Sequence, residues 1–189
     1  MKVEQMSITT KVGDRQTTRL FSGEEISKDD LRLETYGTLD ELVSQLGVAR
    51  SLLSKSKRAD EIRELQVDLF RIGGELACID PKKHSWIEPT TEKHVAWIEA
   101  RMKNIESQLK LPKSFLVPGA HPVSAHLDVA RTIARRFERC AIALSKSGGY
   151  DNTQGLIYFN RLSDYCFLLA RAVEMELGII FDAKNMSDK

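Results

Sequence analysis

Apolar residues recur at steps of three and four along most of this chain, the spacing of helices with one buried face. Leu39, Leu42, Val43, Leu46, Ala49 and Leu53 form a first stripe, and Leu65, Leu69, Ile72 and Leu76 a second. Val95, Ile98, Met102, Ile105 and Leu109 form a third, on a helix that Pro89 with Thr90 or Thr91 is placed to begin. Val129, Ile133, Phe137, Cys140 and Leu144 form a fourth, and Phe159, Leu162, Cys166, Leu169, Val173 and Leu177 a fifth. Five such stripes must be buried against one another, which predicts an all-α fold, a five-helix bundle. The first helix is expected from about residue 35. Thr38 would cap it, Glu41 would close a capping box, and Asp40 would meet the helix dipole in the first turn or pair with an arginine across the bundle.

Residues 1–32 are polar and aperiodic, predicting an irregular N-terminal segment with room for short strands. The bundle then covers residues 33–181, and 182–189 form a polar tail, so that 1–189 reads as a single domain. Most breaks between stripes are short: polar Lys55 to Arg58, Asp80 to Trp86 around Pro81, and Ser147-Gly148-Gly149. The connection from Leu111 to His121 differs, because Pro112, Pro118 and Gly119 surround an apolar trio, Phe115-Leu116-Val117. Such a trio either tucks into a core or a neighbouring subunit, or lines a pocket for an apolar ligand face.

Composition narrows the function classes. With 189 residues the chain has enough length for a core without disulfides or a structural metal. Its formal charge of +1 gives no global attraction to nucleic acid or an anionic membrane, so any basic site must be a local cluster. The N-terminus has no apolar signal core and no run is long enough to span a bilayer, so a cytoplasmic protein is expected. Cys78, Cys140 and Cys166 form no CxxC pair and fall on or beside apolar stripes, predicting core packing for all three.

Three constellations bear on chemistry. Thr9 to Arg19 sets Gly13 among hydroxyls and cations, suited to phosphate oxygens or equally to a solvated turn, and it is not a Walker A motif. Arg131, Arg135 and Arg139 lie four residues apart on one helix face, where three guanidinium groups repel unless anions answer them. Glu138 offsets only part of this, so the row is either a solvated face or a site for triphosphate or carboxylate. Asn160 and Asp164 are one turn apart beside core positions, either in an inter-helix network with an arginine of the fourth helix or with Asn160 also touching a nucleotide.

In this order, the segments resemble the trimeric five-helix class of ATP:cob(I)alamin adenosyltransferases. Thr10-Lys11-Val12-Gly13-Asp14 matches that family's T-K-x-G-D, and Lys28-Asp29-Asp30 with Tyr36-Gly37-Thr38-Leu39-Asp40-Glu41-Leu42 matches its K-D-D and YGxxDEL. Phe115 to Gly119 matches F-x-x-P-G, Arg131 to Arg139 matches R-x-x-x-R-R-x-E-R, and Asn160 to Asp164 matches N-R-L-S-D. The resemblance implies a homotrimer that transfers the 5′-deoxyadenosyl group of ATP, carried with Mg²⁺, to cob(I)alamin. It also implies that a cobalamin reductase and a B12-dependent enzyme are partners. By the same resemblance, Thr10, Lys11, Val12, Gly13, Thr18, Arg19 and Lys28 hold ATP, and Arg135, Glu138, Arg139 and Asn160 complete the pocket from the adjacent subunit. Asp40 and Arg131 form a salt bridge at the subunit contact, and Phe115 closes the lower corrin face. Mg²⁺ is expected to be held through the ATP phosphates, with no separate metal site.

Two departures from the family pattern stand out. Gln16 occupies a position where a second glycine is usual, so the loop is expected to close differently if that glycine supplies a positive φ. Ala120-His121 replaces a second glycine after Pro118, and His121 is expected at the surface or the start of a helix. These departures motivate an alternative, a non-catalytic ATP-binding trimer serving as nucleotide sensor or cobalamin carrier. A helical protein–protein module is a third reading, and it leaves the arginine row unexplained.

Overall fold

The computed structural model describes residues 12–80, 83–111 and 115–179. Five helices dominate: α1 (Leu31–Ser51), α2 (Lys57–Leu76), α3 (Glu92–Glu106), α4 (Pro122–Lys146) and α5 (Thr153–Glu176). A 3₁₀ turn, Val12–Arg15, precedes two short antiparallel strands, β1 (Thr17–Arg19) and β2 (Glu25–Ser27), so the fold is mostly rather than wholly helical. In the bundle, α4 packs between α1 and α5, while α2 packs on α1 and α3 on α5. Phe137 of α4 meets Phe159 of α5 edge-on at 4.8 Å, and Tyr150 stacks on the same Phe159 at 5.7 Å.

The helix starts follow local capping chemistry. Asp30 caps α1 by accepting from the Arg32 N–H at 2.7 Å, so α1 begins well before the predicted start. Thr38 is therefore interior, donating its hydroxyl to the Glu34 carbonyl at 2.8 Å, and Asp40 lies beyond the reach of the N-terminal dipole. Glu41 instead pairs with Arg136 of α4. Arg32 explains why the early turns hold: its buried guanidinium donates to the carbonyls of Leu76 (2.6 Å), Cys78 (2.9 Å) and Gly149. Ser56, Thr91, His121 and Asn152 cap the other four helices, and Gly148, at φ 81°, follows the end of α4.

The fourth stripe differs from expectation. Val129 is exposed and Cys140 half-buried, whereas Leu127, Ala130, Ala134 and Ala141 are fully buried with Phe137. Ile133, Phe137 and Leu144 of the stripe are buried as expected, and the small side chains of Ala130, Ala134 and Ala141 fill the rest of that face, where they let neighbouring helices approach closely. Core packing holds for Cys78 and Cys166 but not fully for Cys140. Burial pushes the Cys166 thiol up to about 12, which keeps it protonated and inert. Leu177 at the end of the fifth stripe is likewise exposed.

One buried carboxylate fastens the ends of α2 and α5. Glu75 Oε2 accepts from the Thr90 N–H (2.8 Å) and hydroxyl (2.7 Å), and Oε1 accepts from the Tyr150 hydroxyl (2.9 Å) and Asn152 Nδ2 (2.6 Å). Gly155 makes room for this arrangement, since a Cβ there would lie 1.8 Å from the Tyr150 hydroxyl oxygen. Glu75→Gln sets an NH₂ group against two donors and is expected to lower stability by about 2 kcal/mol. Chemical denaturation reads this, and an unchanged midpoint would show that the donors have other acceptors.

Candidate active site

The N-terminal arm brings part of the predicted nucleotide site together. Lys28, two residues before the Asp30 cap, donates its N–H to the Gln16 carbonyl at 2.9 Å, and Gln16 donates to the Gly13 carbonyl at 3.3 Å. Gly13 is needed for close approach: a Cβ there would come within 2.8 Å of Lys28 Nζ. Thr18 lies opposite Ile26 and Arg19 opposite Glu25 in the two-stranded ladder. Thr10 and Lys11 lie outside the described residues, and Val12 opens the 3₁₀ turn.

Gln16 corrects an expectation about this loop. It adopts φ 62°, so the turn closes in a left-handed conformation with a non-glycine residue rather than by another route. An L side chain there costs about 1–2 kcal/mol, part of which glycine would give back in unfolded-state freedom. Gln16→Gly is accordingly expected to raise stability by about 0.5 kcal/mol with no loss of nucleotide affinity. Thermal unfolding with and without Mg-ATP tests it, and a destabilised variant would mean the Gln16 side chain makes a contact of its own.

On α4 the arginine row divides. Arg131 is half-buried, with Nε 3.5 Å from Asp128 Oδ1. Arg135 and Arg139 are exposed and, among the described residues, have no carboxylate partner. Beside them Asn160 Nδ2 donates to Glu138 Oε1 at 2.8 Å, and Arg161 Nη1 donates to Asn160 Oδ1 at 2.9 Å. The inter-helix partner of Asn160 is thus a glutamate rather than an arginine, and Asp164 is exposed. The result is two free guanidinium groups next to an oriented carboxylate–amide pair, a donor-rich face matched to phosphate oxygens and a nucleoside.

Phe115 is 93% exposed, so its trio is not tucked into the core of its own chain. Together with Leu111, Leu116, Pro118 and Phe167 it lines a cavity of ≈ 280 Å³ whose charged wall is Asp128, Arg131 and Arg171. His121 ends this loop as the α4 cap, its Nδ1 accepting from the Val123 N–H at 3.2 Å. Asp40, exposed on α1, borders a separate apolar cavity of ≈ 420 Å³ with Phe21, Tyr36, Leu39 and Phe70.

Within one chain these parts are not joined among the described residues. Among the described residues, no hydrogen bond or ion pair joins Gly13, Thr18, Arg19 or Lys28 to the α4 row, and Asp40 does not meet Arg131. Arg135, Glu138, Arg139 and Asn160 do share one face, and Arg131 and Phe115 share one cavity. Sequence reasoning missed Asp128 and Arg171, buried and ion-paired in the wall of that cavity, and Glu174, which is buried and ion-paired to Arg171. The available signal was Asp128, three residues before Arg131 on the same helix.

A family model described as cobalamin adenosyltransferase matches residues 8–173. The corrinoid adenosyltransferase of Bacillus subtilis (strain 168) is 39% identical over 178 residues, covering 92% of this chain and 90% of that one. The Homo sapiens corrinoid adenosyltransferase MMAB is 34% identical, over 90% of this chain and 70% of its own length. In structure, the chain is similar to a variant PduO-type ATP:corrinoid adenosyltransferase from Lactobacillus reuteri complexed with cobalamin and ATP. The TM-score is 0.85 at 33% identity, covering 95% of this chain and 97% of that one.

Proposed function

Because the chain belongs to the cobalamin adenosyltransferase family, we propose that it transfers the 5′-deoxyadenosyl group of ATP to cob(I)alamin, giving adenosylcobalamin and triphosphate. The observation that carries this is the row of free guanidinium groups at Arg135 and Arg139 beside the Glu138–Asn160 pair. Such a row is unfavourable in isolation and becomes favourable when a polyanion answers it.

The electron pair of cob(I)alamin forms the new bond to the ribose 5′-carbon, and the C5′–O bond breaks with its electrons leaving on triphosphate. No proton leaves the nucleophile, so the protein needs no general base. It needs to hold the reactants in line and to stabilise the negative charge growing on the leaving group. Lys11, Lys28 and Arg135 take that second task, with Thr10, Val12, Gly13, Thr18, Arg19, Glu138, Arg139 and Asn160 shaping the ATP pocket. Mg²⁺, arriving on the ATP phosphates, lowers the charge those residues must meet. Phe115, exposed and apolar, fits the face of a corrin and excludes a lower axial ligand.

The separation of the arm from the α4 row within one chain supports a site completed by a neighbouring subunit in a homotrimer. There Asp40 of one copy pairs with Arg131 of the next. A reductase that supplies cob(I)alamin and a B12-dependent enzyme that accepts the product are the partners this chemistry requires, and the cytoplasm suits both. The departures at Gln16 and His121 lend no support to a sensor or carrier, since one adopts the glycine-like conformation and the other is an ordinary cap.

Anaerobic incubation of chemically reduced cob(I)alamin with Mg-ATP tests the reading. ATP-dependent loss of the cob(I)alamin absorbance, with adenosylcobalamin and triphosphate formed, is expected. ATP binding without conversion would return the protein to the sensor or carrier reading.

A further inference from the structure

Arg131 is the half-buried member of the α4 row, and its Nε is buried without a hydrogen-bond partner, ion-paired to Asp128 Oδ1 at 3.5 Å. The other oxygen of Asp128 accepts from Arg171 Nη2 at 2.6 Å. Arg171, itself 2% exposed, is ion-paired to Glu174 from Nε at 3.0 Å and hydrogen-bonded to it from Nη2 at 3.1 Å. Its guanidinium also lies 5.2 Å from the centre of the Phe167 ring. Asp128, Arg131, Arg171 and Phe167 all line the Phe115 cavity.

The charge balance shows what Asp128 is for. Arg171 already has a full counter-charge in Glu174, and a second buried carboxylate beside that pair would be unfavourable by itself. Arg131 brings the group of four to neutrality. Asp128 is held in one rotamer by Arg171, and its remaining oxygen presents a fixed negative charge to Arg131 Nε. An arginine held this way loses its rotamer freedom at folding rather than when substrate arrives.

We infer that Asp128 is a positioning residue that fixes Arg131 in the wall of the Phe115 cavity, the surface that receives the corrinoid. The inference rests on the adenosyltransferase reading for its kinetic consequence, though not for the positioning itself. Asp128→Asn removes the charge that faces Arg131 but leaves Arg171 its Glu174 counter-ion and an acceptor oxygen. In this variant the KM for cob(I)alamin is expected to rise about tenfold while the KM for ATP stays within about twofold. With Arg131→Lys already in place, Asp128→Asn adds nothing further, because the group it positions is gone.

The experiment combines that kinetic cycle with NMR of the full-length protein carrying ¹⁵N-arginine. The Arg131 Nε–H signal is assigned by its loss in Arg131→Lys. Protection of that proton from solvent exchange in the wild type, and its loss in Asp128→Asn, is the expected result. An Arg131 signal unchanged by Asp128→Asn overturns the inference, as does a rise in corrinoid KM that persists undiminished in the Arg131→Lys background. If Asp128→Asn does not fold, Asp128→Glu keeps the charge but displaces it by a methylene, and an unmoved Arg131 signal there has the same meaning. A wild type that adenosylates no corrinoid refutes the functional reading, and the NMR arm then decides the positioning alone.

Discussion

Arg135→Ala lowers kcat/KM for ATP about a thousandfold and leaves folding stability within about 0.5 kcal/mol of the wild type. The two halves of this expectation come from the same fact. Arg135 is exposed on α4 and, among the described residues, has no carboxylate partner, so its removal strands no buried group. In the proposed role, its forked donors would strengthen as charge accumulates on the leaving triphosphate, so their loss would fall on the transition state more than on bound ATP. Arg139, one turn on, keeps the face cationic and limits the change in ATP binding. Steady-state kinetics beside calorimetry decide the matter. A loss below about tenfold would assign the row to subunit assembly instead of phosphate.

Phe115→Ala is expected to reduce kcat about a hundredfold with cob(I)alamin formed in situ from cob(II)alamin, and to leave ATP affinity within about twofold. At 93% exposure the ring supports nothing in its own chain, so the substitution tests its effect on the corrinoid directly. If the ring excludes a lower axial ligand, the deficit should shrink when cob(I)alamin is supplied already reduced, because that form needs no such exclusion. Equal losses in ATP binding and turnover would remove Phe115 from this role.

The helices were legible because burial leaves a period in the sequence, and the five stripes correspond to α1 through α5. The start of α1 was not, because its first two turns carry no stripe. They are held by Asp30 as cap and by Arg32 reaching carbonyls of residues more than forty positions away, which no local window contains. On α4 the larger apolar residues drew the stripe through Val129 and Cys140, while Ala130, Ala134 and Ala141, legible as small residues bordering the arginine row and suggesting close packing, are fully buried. The arginine row was legible as three residues on one face, and the Phe115 loop as an apolar trio between prolines. What sequence could not supply was the division of labour within the row. That depends on Asp128 and Arg171 meeting across the α4–α5 interface.

The contrast between Arg135, free at the surface, and Arg171, enclosed by Asp128 and Glu174, sets two different fates for faulty copies of this chain. If Arg135 serves the leaving triphosphate as proposed, a change there escapes cellular quality control, and the damaged protein accumulates at full abundance, folded and inert. A change at Arg171 strands Glu174 in the interior and leaves Asp128 only the longer pairing with Arg131, so the chain is unfolded often enough for proteases to clear it. Raising expression or adding a stabilising small molecule can rescue the second kind of defect, whereas the first yields only to replacement of the enzyme itself.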